Sequence, residues 1–144
     1  MKQEDKELLL KDLCGRLPYG VNMNHIADTE NNPITCVGGV AKTMITLESP
    51  AGYGTSDIED YMPYLFPLSS MTEEQKIECF KGTDIELDEH NEIWSTFPIS
   101  DSDIVLTNLN NWLKVINWLN KNHFDYRGLI EKGLAIDATD LNVY

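Results

Sequence analysis

Apolar positions recur at helical spacing most clearly between Ile104 and Lys121. At about 100° per residue, Val105, Leu106, Leu109, Trp112, Leu113, Ile116 and Leu119 fall within one arc of roughly 140°. The stripe predicts an amphipathic helix that turns this arc to a core and leaves Asn108, Asn110, Asn111, Lys114, Asn117 and Lys121 toward water. Asp101 or Ser102 can cap its start, where a side-chain oxygen accepts from unpaired backbone N–H groups. Trp118 breaks the pattern, projecting about 180° from Leu109 into the polar side. It either packs beneath a second element or stands exposed as an anchor for a partner. The residues that follow predict such an element: a short helix from Tyr126 to Lys132, with Asp125 as N-cap, Phe124 stapled onto Leu129, and Gly133 closing the helix.

Earlier in the chain, Lys2 to Leu17 reads as a helix with an apolar stripe of Leu9, Leu10, Leu13, Cys14 and Leu17, ended by Pro18. Val21 to Ala27 predicts a strand and Asp28 to Pro33 a turn. Ile34 to Val37 and Val40 to Leu47 are β-rich on either side of Gly38-Gly39, which is a tight turn or a bulge within one strand. Ser49 to Thr55 reads as a loop. Ser56 and Glu59 form a capping-box pattern for a short helix limited by Pro63, and Thr72 to Gln75 forms another, opening a helix that buries Ile77 and Phe80 and ends at Lys81-Gly82. Asp84 to Phe97 predicts a hairpin. These elements amount to one α+β domain spanning 1–144, with a four- or five-stranded, mostly antiparallel sheet and the N- and C-terminal helices packed on one face.

Charge changes this picture through its location. The chain carries a formal net charge of −13, and between Glu48 and Asp103 there are 14 acids against Lys76 and Lys81 alone. A nearly neutral framework is thus interrupted by an acidic middle third. Direct nucleic-acid binding and an anionic membrane surface are disfavoured, because phosphate contacts need clustered Lys and Arg. A protein with a basic patch is the favoured partner. No apolar run approaches the roughly 18 residues needed to span a bilayer, and the charged start Met1 to Lys6 is unlike a secretory signal, so a cytoplasmic location is expected. Cys14, Cys36 and Cys79 are odd in number and widely separated, which fits reduced thiols better than a disulfide framework.

Three stretches carry a resemblance. Leu17-Pro18-Tyr19-Gly20-Val21, the run from Tyr64 to Glu74 (YLFPLSSMTEE) and the run from Asn122 to Ala135 (NHFDYRGLIEKGLA) together resemble small uncharacterised proteins carried by phages, prophages and mobile elements of anaerobic gut bacteria. The resemblance implies an accessory role, such as countering or redirecting a host protein. It implies no reaction and no catalytic residues.

Chemistry offers little competition. His25, His90 and His123 share no ligand spacing with one another or with a cysteine, and the acids around His90 lack the central glycine of a calcium loop, so no metal or cofactor is expected. Gly52-Tyr53-Gly54 lacks the strand–helix context of a nucleotide site. The leading expectation is a non-catalytic binding protein that meets a basic surface through Asp57, Glu59, Asp60, Asp84, Glu86, Asp88, Glu89 and Glu92, with Trp94 and Trp118 as aromatic anchors. The alternatives are a nucleic-acid mimic that inhibits a DNA- or RNA-binding enzyme, a ligand binder or enzyme using the 49–56 loop and a histidine, and a homodimer formed through Trp118 or a strand edge.

Overall fold

The computed structural model describes residues 1–28, 35–83 and 102–144. Helices α1 (Gln3–Arg16), α2 (Glu73–Phe80) and α3 (Ser102–Lys121) accompany strands β1 (Asn22–His25), β2 (Thr35–Val40), β3 (Met44–Ser49), β4 (Gly52–Asp57), β5 (Tyr61–Pro67), β6 (Phe124–Asp125) and β7 (Ile136–Asp137). The fold is α+β. Its sheet runs β4-β3-β2-β1-β5-β6, with β7 also paired to β5. The first five strands are antiparallel neighbours, whereas β6 and β7 lie parallel to β5. The sheet is therefore mixed and seven-stranded rather than four- or five-stranded.

The extra strands come from segments whose composition argues against strands. The 49–56 stretch, expected as a loop, turns at Pro50 and Ala51 and returns as β4, which pairs along the whole of β3. Ser56 makes no cap there; only a single 3-10 turn at Ile58–Asp60 follows. β5 tolerates Pro63 because the parallel pairing with β7 begins only at Tyr64, so at Pro63 the strand is flanked by β1 alone. Gly38-Gly39 is a bulge within β2, where the register shifts between Val37 and Gly39, and the β2–β3 turn falls at 41–43 instead.

Alternation along β5 divides the core. Leu65 faces α1, which brings Leu9 and Leu13 onto Val21, Met23, Val37, Ile45 and Leu47. Tyr64 packs with Ala138 and Val143 from the C-terminal segment. α3 lies beside α1 and contacts α2 and β6. The 126–132 segment is a succession of turns, not a helix. Asp125 nevertheless acts as a cap: its carboxylate accepts from the backbone N–H groups of Arg127, Leu129 and Ile130. Phe124 and Leu129 belong to separate clusters, so the expected staple does not form. The predicted hairpin at 84–97 and the cap at Asp101 lie outside the described residues.

A charged pair is buried within α1. Arg16 donates Nε to Asp12 at 2.6 Å and Nη2 to the same carboxylate at 3.0 Å, and both side chains are fully buried. Arg16 Nη2 also donates to the Phe124 carbonyl at 2.8 Å, and Arg127 Nε lies 3.4 Å from Asp12. This cluster ties α1 to the chain leaving α3.

Candidate functional site

Helix α2 begins with the predicted capping box: Gln75 N–H donates to Thr72 Oγ1 at 3.2 Å, and Thr72 N–H donates to Gln75 Oε1 at 2.9 Å. Residues of the box and of the helix line two concavities. Lys76, Cys79 and Phe80 point into one, Thr72 and Gln75 into the other. Ile77, expected in the core, is 56% exposed, and Cys79 is buried instead.

The first concavity is a groove of about 660 Å³ between α2 and α3. α3 contributes Trp112, Val115, Ile116 and Leu119 to it, and Leu68, Met71 and Tyr126 complete the lining. Most of this surface is apolar. The groove exists because α3 is turned by roughly a third of a rotation from the orientation its apolar stripe predicts. Asn111, Val115, Leu119 and Asn120 are buried, whereas Leu109, Trp112 and Leu113 are 55%, 44% and 47% exposed. Trp118 explains the rotation. Its ring stacks on Phe124 at 5.7 Å and 11°, within the cluster of Cys79, Val115 and Leu119. Trp118 is thus a packing residue, and the exposed aromatic of this helix is Trp112.

The second concavity is a cleft of about 490 Å³ that includes His123, Lys121, Phe66 and Tyr144. His123 is 8% exposed and has φ 59°, the one non-glycine residue with positive φ among the described residues. Its ring stacks on Tyr144 at 4.0 Å and 8°, and its Nδ1 has no hydrogen-bond partner. Burial, with the Arg16 charge adding to it, lowers the imidazole pKa to about 4, so the ring is neutral near pH 7. Tyr144 is held in place by its hydroxyl, which donates to the Tyr64 carbonyl at 2.7 Å and accepts from Asn22 N–H at 3.3 Å.

The acids read from the sequence are divided. Asp57, Glu59 and Asp60 lie at the end of β4 and the turn after it, beside α1. Asp57 and Asp60 are exposed, but Glu59 accepts from Lys6 Nζ at 2.7 Å and lies 3.8 Å from the terminal amine, and these contacts lower its pKa. Glu73, Glu74 and Glu78 sit on α2, where Glu73 pairs with Lys76 at 2.9 Å. Asp84, Glu86, Asp88, Glu89, Glu92 and Trp94 lie outside the described residues. In the 49–56 segment, now an edge strand, the exposed Tyr53 hydroxyl donates to Glu48 at 3.1 Å.

Of the histidines, His25 meets Tyr61 edge-on at 5.0 Å and its Nδ1 accepts from Ala27 N–H, a local turn contact. Cys14 is exposed, contrary to its place in the expected stripe, and burial raises the pKa of Cys36 and takes that of Cys79 to about 11. Among the described residues no helix is long and apolar enough to cross a membrane, and no cluster of three or more His, Cys, Asp or Glu is arranged to hold a metal ion. The groove and the His123 cleft depend on the rotation of α3 and on the chain's return after it, so residue spacing alone did not expose them. No family model, curated protein or solved structure matches the chain.

Proposed function

We propose that the protein is a non-catalytic binding module whose α2–α3 groove receives an amphipathic helix with basic flanks, presented by a host or mobile-element protein. The observation that carries this reading is the exposure of Trp112, 44%, on the wall of an apolar groove it shares with Leu68, Met71, Ile116 and Leu119. A helical ligand places apolar anchors at positions i, i+3, i+4 and i+7, which suits a cleft between two helices. Charge selects among such ligands. The chain is at −13, and Glu73, Glu74 and Glu78 lie on α2, one wall of the groove. A cationic ligand is therefore attracted, and an acidic one of the same shape repelled. This retains the basic protein partner read from the acidic middle third but moves the proposed anchors to Trp112 and Ile116. It also suits the accessory role implied by the resemblance to phage and mobile-element proteins. Nucleic-acid mimicry finds less support, because the described acids lie on separate elements and Glu59 and Glu73 are ion-paired.

A synthetic Leu/Lys amphipathic helix tests the reading by calorimetry, against a Leu/Glu peptide with the same leucine pattern. Saturable binding of the Leu/Lys peptide, weakened about tenfold or more by Trp112→Ser with Ile116→Ser, is expected. Equal binding of both peptides, or affinity unchanged in the double variant, would overturn it. So would concentration-dependent dimerisation that blocks the peptide, since the groove's occupant would then be a second copy.

A further inference from the structure

β4 closes one end of the sheet, and among the described residues no strand pairs with its far side. Such an edge presents unpaired N–H and C=O groups, and monomeric proteins blunt it with lysine, proline, a bulge or a covering element. β4 has none of these among the described residues. Its sequence, Gly-Tyr-Gly-Thr-Ser-Asp, carries no Pro, Lys or Arg, its register with β3 is unbroken, and all of it but Ser56 is exposed. A Cβ at Gly52 or Gly54 would meet nothing within 4 Å, so no described element covers that face there. The parity of the ladder identifies the free groups. Ile58 N–H donates to the Thr43 carbonyl at 3.2 Å, and bonded pairs alternate along an antiparallel ladder, so the next ones are Ile45–Ser56, Leu47–Gly54 and Ser49–Gly52. The main-chain groups of Tyr53, Thr55 and Asp57 therefore point away from β3.

We propose that β4 pairs with β4 of a second copy of this chain, antiparallel about a twofold axis at Thr55, and joins the two sheets into one. Antiparallel strands are related by a twofold axis, so a single edge serves both copies. The three outward-facing residues fix the register. Centring on Thr55 sets Thr55 opposite its own counterpart and each Tyr53 opposite Asp57 of the second copy, so all three pairs fall within the strand. Centring on Asp57 would oppose two carboxylates, and centring on Tyr53 would run Thr55 against Ala51 in the turn. Thr–Thr pairs across a ladder are favourable, whereas like charges directly opposite are not. In the Thr55 register the two Asp57 carboxylates stand four residues apart along the strand, about 14 Å, beyond the screening length of about 8 Å at physiological salt. Each Tyr53 lies between its own Glu48, to which its hydroxyl donates, and Asp57 of the second copy. That residual repulsion, with −13 on each chain, makes the pairing stronger as salt rises, the opposite of a basic peptide. The edge is short against the about 20–30 residues a side of a standard interface, so the dimer forms at high protein concentration. The inference is independent of the groove reading, because α3 contacts β6, at the other end of the sheet from β4.

Analytical ultracentrifugation of the full chain over a wide concentration range, at low and high salt, tests the pairing, with amide hydrogen exchange to locate it. A monomer–dimer equilibrium that strengthens with salt is expected, together with slowed exchange of the Tyr53, Thr55 and Asp57 amides in the dimer. Thr55→Lys and Thr55→Glu, both at an exposed position, should each weaken self-association about tenfold by opposing like charges at the axis. An equimolar mixture of the two variants should regain it as a heterodimer. The proposal is overturned by a monomer at every concentration and salt, by self-association that neither variant alters, by variants that fail to restore it when mixed, or by slowed exchange on α2 and α3 instead of β4. An extended Thr/Lys peptide that protects the β4 amides while the chain alone stays monomeric would also overturn it, since the edge would then belong to a basic partner.

Discussion

Replacing Asp12 by alanine isolates the interaction that fastens α1 to the rest of the molecule. The substitution removes the acceptor of Arg16 Nε and one of the two acceptors of Nη2, leaving a fully buried guanidinium with only the Phe124 carbonyl. Its Nη1 already lacks a partner. Breaking a buried pair on one side costs about 3–5 kcal/mol, because the remaining charge stays desolvated and uncompensated. For a chain of this size about 2–4 °C of melting temperature accompanies each kcal/mol, so Tm should fall by about 6–20 °C. Equilibrium urea unfolding at pH 7 measures the change as a lower midpoint at unaltered slope. The double variant Asp12→Leu with Arg16→Met removes both charges and should recover about half the loss or more, since an apolar pair of similar volume avoids the desolvation. A loss below about 1 kcal/mol for Asp12→Ala, the range of a solvated ion pair, would refute the buried-cluster account.

Other expectations follow from individual contacts. His123 is neutral in the fold with its pKa lowered to about 4 from an ordinary 6.5, so the unfolded chain binds the extra proton first as pH falls. Stability is then fully present above about pH 6.5 and declines by about 1–3 kcal/mol on going to pH 4, and His123→Asn should flatten that segment of the urea midpoint–pH curve; an unchanged slope would contradict the burial. Thr72→Ala removes half of the α2 capping box and should cost about 1 kcal/mol in urea unfolding. Thiol labelling in native buffer should modify the exposed Cys14 first and Cys79 last, with Cys79 becoming reactive only on unfolding. Gly20 has φ 69° and a Cβ there would meet Cys36 Sγ at 3.2 Å, so Gly20→Ala should destabilise the chain by about 1–2 kcal/mol.

Local signals were legible where the local chain decides the outcome. α1 lies within its predicted bounds, and the Thr72–Gln75 box appears with both hydrogen bonds. Asp125 makes the predicted cap bonds, yet no helix follows, because Gly128 and Gly133 both turn into positive φ and close the segment into turns. β4 and β5 were obscured by glycine and proline, whose local preferences were overridden by pairing with β3 and β1. α3 shows the deeper limit. Its apolar arc was visible, but the face it buries is chosen by Trp118 on Phe124, across the turn that ends the helix, and by Asn120 beside Gly15, a contact between residues far apart in sequence. The groove therefore arises from a stripe that the fold leaves partly uncovered. Asp12 and Arg16 offered a readable hint, an acid and a base four residues apart among the leucines of α1, but only packing with Phe124 and Arg127 shows that both are buried.

Amide shift mapping during titration with the Leu/Lys helical peptide tests the central claim most directly. The account predicts changes concentrated on α2 and the Leu109–Leu119 face of α3, diminishing as salt screens the acidic chain. Changes centred on Asp57, Glu59 and Asp60, or spread over the surface with no preference for the two helices, would contradict it.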